Sequence, residues 1–373
     1  MPEGLSRSTP PAAAPGAPRK GRGALSNPDN RFEGIALSPF DDGWDHEAEE
    51  TPPPATTLTR DATRGIVAWN LSPDIGFDRA INPYRGCEHG CIYCYARPSH
   101  AYLGLSPGLD FETKITFKPE AAALLEKELR KPGYVCRPMA LGSNTDCYQP
   151  VERTLKITRQ VLEVLEAFNH PVTIVTKSSL VLRDVDILSR MAARKLARVA
   201  VSVTTLDRNL ARIMEPRAAT PLRRVQAIGE LTRAGIPAVV MAAPMIPGLN
   251  DAELERILEV SAEAGATGAS YVLLRLPHEL RQMFTEWLNA HVPDRAAHVL
   301  SLIRQTRGGA LNDARFGHRF GGMGPYADLL AARFARMVRK LGLEGTREGL
   351  DCTQFRAPAA AQGLAEKQMA FAL

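Results

Sequence analysis

From about residue 65 the chain alternates between two hydrophobic rhythms. Short apolar runs rich in β-branched residues occur at Phe77–Ile81, Cys136–Gly142, Val172–Thr176, Arg198–Val203, Ala238–Ala243 and Ala269–Leu274. Between them, apolar positions recur at helical spacing over Glu120–Lys131, Thr154–Phe168, Val185–Ala193, Pro221–Ala234 and Ala252–Ala264. In the second of these, Leu155, Val161, Leu162, Leu165 and Phe168 share one face. Thr220 before Pro221 predicts an N-cap followed by the favoured N1 proline. Asn250 and Glu253 have capping-box spacing. Gly235 and Gly265 stand where helices should stop. Strands alternating with single helices imply right-handed βαβ units and a parallel sheet. Six units predict an α/β fold of the partial parallel (β/α)6 barrel kind.

Residues 1–64 lack this rhythm and are expected to form a poorly structured N-terminal arm. One patch, Gly21–Pro28 with Arg31 and Phe32, has the alternative of an ordered arm laid on the main domain; the solvated reading is favoured. Residues 65–280 make the expected barrel, 281–356 a helical C-terminal extension, and 357–373 a tail. The extension predicts helices at Asp294–Arg307 and Ala327–Leu341, joined by a Gly-rich loop. Over 301–348 it carries nine basic and four acidic residues, a local balance of +5, with Phe316, Phe320 and Tyr326 interleaved. That composition fits a nucleic acid. The spacing of Leu330, Phe334, Met337 and Leu341 fits an amphipathic helix packed on the barrel instead, and is favoured.

Composition adds limits. Hydrophobic residues make up 45% and charged residues 23% of 373, enough for a large core. The longest apolar candidate for a membrane span, Ile236–Leu249, is short and holds three prolines. The first residues lack the apolar core of a signal peptide, so a cytoplasmic location is expected. The net charge of +5 is mild. Six cysteines are too few for a disulfide scaffold in this length, but three of them cluster.

That cluster is Arg85-Gly-Cys87-Glu-His-Gly-Cys91-Ile-Tyr-Cys94-Tyr95, with spacing Cys-x3-Cys-x2-Cys. Thiolates are soft ligands for zinc or iron–sulfur clusters. A structural zinc site takes four protein ligands, commonly as two separated pairs. Here no second pair follows. Three thiolates on a four-iron cluster leave one iron open to another ligand. Gly86 and Gly90 permit a tight wrap of backbone. The alternatives are zinc completed by His89, Cys136 or Cys147, giving a non-catalytic zinc-stabilised binding protein, or three unligated thiols.

With this motif after the first strand, the sequence resembles the radical S-adenosylmethionine (SAM) superfamily. The segments Asn82-Pro-Tyr-Arg-Gly-Cys87, Cys94-Tyr-Ala-Arg97, Thr145-Asp-Cys-Tyr-Gln-Pro150 and Thr176-Lys-Ser178 resemble the branch related to spore photoproduct lyase. The resemblance implies that Cys87, Cys91 and Cys94 hold a [4Fe-4S] cluster whose fourth iron binds SAM. It implies reductive cleavage of SAM to a 5′-deoxyadenosyl radical, in an enzyme of lyase or transferase type. A one-electron reductant such as flavodoxin or ferredoxin would be a partner. Nucleic acid or nucleotide is the expected substrate, with a protein or small molecule as the alternative.

The strand ends supply candidates for SAM. Asp146 would take its ammonium, or merely cap Tyr148. Lys177 would neutralise its carboxylate, with a lysine snorkelling to solvent as the alternative. Ser202, with Thr204 two residues on, would reach the ribose or carboxylate, or pack inside the barrel. Pro244–Asp251 resembles the superfamily's Gly-x-Ile-x-Gly-x-x-Glu segment, so Ile246 and Gly248 become adenine neighbours beside Tyr93. The sequence departs from it at Pro244 and Asp251. It departs also where spore photoproduct lyase carries a hydrogen-donating cysteine near the end of its second strand. Ser143 stands there instead, and Cys147 is the candidate donor, with a half-buried structural thiol as its alternative.

Overall fold

The computed structural model describes residues 18–32, 55–345 and 349–358. Seven strands make the main sheet: β2 (Val67–Trp69), β3 (Arg79–Ile81), β6 (Met139–Leu141), β7 (Val172–Thr176), β8 (Ala197–Ser202), β9 (Ala238–Met245) and β10 (Gly268–Leu273). Their order is β10-β9-β8-β7-β6-β3-β2. The six strands from β3 to β10 run parallel in chain order, and β2 pairs antiparallel with β3 at the edge. A smaller sheet joins β1 (Thr57–Arg60), β4 (Tyr84–Arg85) and β5 (Lys114–Phe117), with β5 central. β4 ends two residues before Cys87, so this sheet anchors the start of the cysteine loop.

The helices cover the sheet through one face each. In Ile157–Ala167 the buried positions are Ile157, Thr158, Val161, Leu162 and Leu165. Each large side chain buried there contributes roughly 1.5–3 kcal/mol. The expected helix Thr154–Phe168 is broken: Glu152–Leu155 stops at Lys156, whose φ of 51° is left-handed, and a second helix restarts behind it. β6 is shorter than its apolar run because Pro138 has no N–H for the ladder. Asn250 does not cap. Its side chain accepts from Ile246 N at 2.6 Å and donates to Thr204 O at 2.7 Å, tying the β9 loop to β8. Gly235 and Gly265 end their helices at φ 75° and 104°.

The extension contains a helix that its sequence pattern did not reveal, Leu280–His291, which buries Met283, Phe284, Trp287 and Leu288. Pro325–Leu341 buries Ala327, Leu330 and Met337 and packs beside Leu254–Glu263. Much of its basic charge is engaged within the chain. Arg315 pairs with Asp313, Arg319 with Asp74, Arg333 with Glu255 and Lys340 with Glu259. Among the described residues no helix is long and apolar enough to cross a membrane.

The arm also departs from the solvated reading. Ala24 and Leu25 are buried, and residues 22–24 dock on the cysteine loop. The reason is one carboxylate distant in sequence. Glu112 accepts from Gly23 N at 3.0 Å and Ala24 N at 2.8 Å, while Arg22 donates to its carbonyl at 3.1 Å. A Cβ on Gly23 would stand 1.8 Å from Gly90 O, so only glycine permits the approach.

Candidate active site

The cysteine loop crosses the C-terminal ends of the parallel strands, the side where parallel α/β folds build sites. Its tight path is set by Gly86 and Gly90 at φ 78° and 68°. A Cβ on Gly90 would come within 2.8 Å of Glu112 Oε2. The loop is held on every side. Cys87 N donates to Phe111 O at 2.9 Å, and Ile92 N to Met214 O at 3.0 Å. Gln149 accepts from Glu88 N at 2.9 Å and donates to Gly86 O at 3.1 Å. Arg97, with no exposed surface, donates to the carbonyls of Cys91 (2.8 Å), Gly90 (3.1 Å), Pro107 (3.1 Å) and Gly108 (2.9 Å), and pairs with buried Glu112. One arginine–carboxylate pair thus fastens both the loop and the arm.

Cys87, Cys91 and Cys94 all line one cavity of about 310 Å³. All three are free thiols, and burial pushes each above the ordinary thiol value. A thiolate there needs a compensating cation, which cluster iron would supply. Among the described residues no three His, Cys, Asp or Glu side chains converge as ligands of a single ion would. Three soft donors on one cavity are a donor set that suits an iron–sulfur cluster with one iron left open.

The strand ends complete the cavity. Asp146 follows β6 and accepts from Tyr148 N at 2.8 Å, Thr176 Oγ1 at 2.8 Å and Lys177 N at 2.7 Å, with His89 Nδ1 at 3.3 Å. Burial raises its carboxyl, but the His89 charge and hydrogen bond, with the backbone donors, outweigh that and hold it down at about 2. Asp146 therefore does cap Tyr148, and it also joins β7 to the cysteine loop. Lys177 points Nζ at Ser202 Oγ, 2.9 Å away, and lies 5.6 Å from the centre of the Tyr93 ring. Burial lowers its pKa; the neighbouring Cys91 sulfur opposes that shift. The Ser202 hydroxyl in turn donates to Ala243 O at 2.9 Å. The Tyr93 hydroxyl donates to Glu215, which is paired with buried Arg224, so the ring is fixed at the cavity wall.

Of the ten residues singled out in the sequence, seven line this cavity: Cys87, Cys91, Tyr93, Cys94, Asp146, Lys177 and Ser202. Three lie elsewhere. Ile246 is fully buried in the apolar cluster with Ile92 and Tyr93. Gly248 sits at φ 74° where a Cβ would stand 2.9 Å from Leu302 Cδ1, so its backbone faces the Pro293–Gln305 helix. From the segment Pro244–Asp251, only Pro244 reaches the cavity. Cys147 is fully buried in the main core, whereas Ser143 lines the cavity. Cys136 and Cys352 contact one another outside the cavity. Sequence reasoning missed Arg275, Phe77 and Ile75 as lining residues. Arg275 has a visible signal, a lone charge inside the apolar run Val272-Leu-Leu-Arg-Leu276.

Residues 81–260 match the model of the radical SAM superfamily. The chain belongs to this superfamily. It is 35% identical over 271 residues to an uncharacterized protein of Mycobacterium tuberculosis, covering 72% of this chain and 76% of that one. It is 28% identical over 178 residues to an uncharacterized protein of Methanocaldococcus jannaschii, covering 48% of this chain and 64% of that one. Among solved structures, spore photoproduct lyase complexed with dinucleoside spore photoproduct matches at a TM-score of 0.55 and 16% identity, covering 76% of this chain and 79% of that one. A variant of the same enzyme with bound AdoMet and dinucleoside spore photoproduct matches at 0.55 and 15%, covering 76% and 78%. At these identities the likeness is one of fold. That likeness of fold covers about three quarters of the chain.

Proposed function

We propose that this radical SAM protein cleaves SAM reductively at a [4Fe-4S] cluster held by Cys87, Cys91 and Cys94, and turns the resulting radical on a nucleic acid or nucleotide. The observation that carries the reading is that all three thiols open into the same cavity as Lys177, at the ends of the parallel strands. When bound, the cluster and SAM supply the hard chemistry: one electron from a flavodoxin- or ferredoxin-type donor splits SAM to methionine and a 5′-deoxyadenosyl radical, which takes a hydrogen atom from substrate.

The chain's own residues position and shield. Lys177, a point charge lining the same cavity as the cysteines, neutralises the SAM carboxylate. Ser202 orients Lys177 and adds a hydroxyl for the same group. The Tyr93 ring, fixed through Glu215, gives the adenine a flat neighbour. Asp146 is a positioning residue: its acceptor sites are already taken by Tyr148, Thr176, Lys177 and His89. The apolar lining from Val175, Met241 and Leu273 keeps water from the reacting carbon. The partial barrel fits the chain-order sheet, which has no described pairing between β10 and β2. Nucleic acid is favoured as substrate by the fold shared with spore photoproduct lyase and by the aromatic rings at the cavity mouth.

The test is metal content. The protein is purified without oxygen and reconstituted with iron and sulfide. The reading expects iron and sulfide in equal amounts with the broad visible absorption of a cluster, lost when the three cysteines become alanine. Stoichiometric zinc with no iron uptake contradicts it.

A further inference from the structure

We infer that Arg275 binds a phosphodiester group of a single-stranded nucleic-acid substrate, on the cavity wall where β10 ends. This rests on the nucleic-acid reading above and assigns it a residue. Arg275 follows β10 and lines the cavity, three strands along the sheet from the end of β7 that carries Lys177. The two cations follow different strands and face different rings, Lys177 that of Tyr93 and Arg275 those of Tyr95 and Phe320.

Arg275 differs from the other buried arginines. Arg97 and Arg224 each hold a carboxylate, and Arg307 donates to the carbonyls of Leu273, Leu274, His318 and Arg319. Among the described residues Arg275 has no hydrogen bond, and its Nε is buried without a partner. The carboxylate close enough to be felt, Asp74, is taken by Arg319 and Gly317 N. A half-buried guanidinium without an acceptor costs free energy unless a ligand supplies one. Burial and the Arg319 charge accordingly lower its pKa.

What surrounds the guanidinium indicates the ligand. Its carbon lies 5.0 Å from the Phe320 ring centre and 5.8 Å from that of Tyr95. Arg319 lies 4.8 Å from both Phe316 and Phe320. Phe316 and Tyr95 are 57% and 49% exposed. Rings on the faces of a guanidinium leave its edge donors free, and those match a phosphate bidentately. Exposed rings alternating with arginines are the surface on which unstacked bases lie while their phosphates are held.

The reconstituted protein is titrated, at low salt, against a dye-labelled DNA or RNA single strand of about 12 nucleotides, within the footprint of single-strand binders. Fluorescence anisotropy reads the affinity. Arg275→Gln is expected to weaken binding about tenfold or more, the effect of losing a charged hydrogen-bond partner, and to lower the salt slope by about one. Arg275→Lys should fall between. Arg336→Gln, an equal charge loss on the exposed face of Pro325–Leu341, should bind as wild type, and thermal melting checks that all variants fold. Equal binding by wild type and Arg275→Gln overturns the assignment and leaves the nucleic-acid reading standing. No binding by wild type to either strand overturns both, while SAM cleavage is unaffected.

Discussion

The two walls of the cavity are built differently. On the cysteine side nearly every buried polar group is satisfied: Arg97 makes four carbonyl contacts and a carboxylate pair, and Asp146 holds four groups. Where β10 ends, Arg275 has no acceptor among the described residues and lies against the rings of Phe320 and of Tyr95, the latter from the cysteine loop itself. An over-determined wall suits a resident group that must stay fixed. A wall with an unanswered cation suits a ligand that enters and leaves. On the reading proposed above, the contrast divides one cavity between the proposed cofactor and the proposed substrate.

Breaking the rigid wall should have the largest effect. Arg97→Met leaves Glu112 buried and unpaired, and is expected to cost about 3–5 kcal/mol in denaturant unfolding. The double variant Arg97→Met with Glu112→Leu should recover much of that, because no charge is stranded, yet should still take up less iron because the loop carbonyls lose their donor. A full loss in the double variant would show that the hydrogen bonds, and not the buried charge, dominate.

Acid sharpens the same contrast at His100, which packs on Phe111 beneath the loop. Burial lowers its pKa to about 4. The unfolded imidazole takes a proton near 6.5, so between these values the unfolded state binds more protons. Stability should be full above pH 6.5 and fall by about 3 kcal/mol as pH drops to about 4. Buried His170, also lowered to about 4, adds a limb of its own over the same range, so His100→Gln should make the fall in unfolding titrations shallower without abolishing it; an unchanged limb would mean that His100 is already solvated. Lys177→Gln gives the smallest effect: SAM binding about tenfold weaker by calorimetry, with iron content unchanged. Loss of iron in that variant would move Lys177 to the resident group's side.

Much of this cavity was legible because its parts are local. The cysteine spacing and the polar ends of β6, β7 and β8 each announce themselves within a few residues. What was hidden depends on distant partners. The arm is ordered by Glu112, some ninety residues on, and a Pro/Gly-rich segment carries no sign of it. Arg275 sits in an apolar run and reads as a stray charge until Phe320 from the extension closes over it. Ile246 and Gly248 follow a family-like pattern, but backbone turns between Pro244 and Asp251 aim them at the Pro293–Gln305 helix and the apolar cluster. The basic extension advertises charge, while its ion pairs emerge only once Asp74, Glu255 and Glu259 are brought alongside.

The most direct measurement is 5′-deoxyadenosine, quantified after the anaerobically reconstituted and reduced protein is given SAM, with Cys91→Ala as the comparison. The account predicts deoxyadenosine and methionine in equal amounts from wild type and none from the variant. Equal yields from both, or none from a wild type that carries its full iron and sulfide, would contradict it.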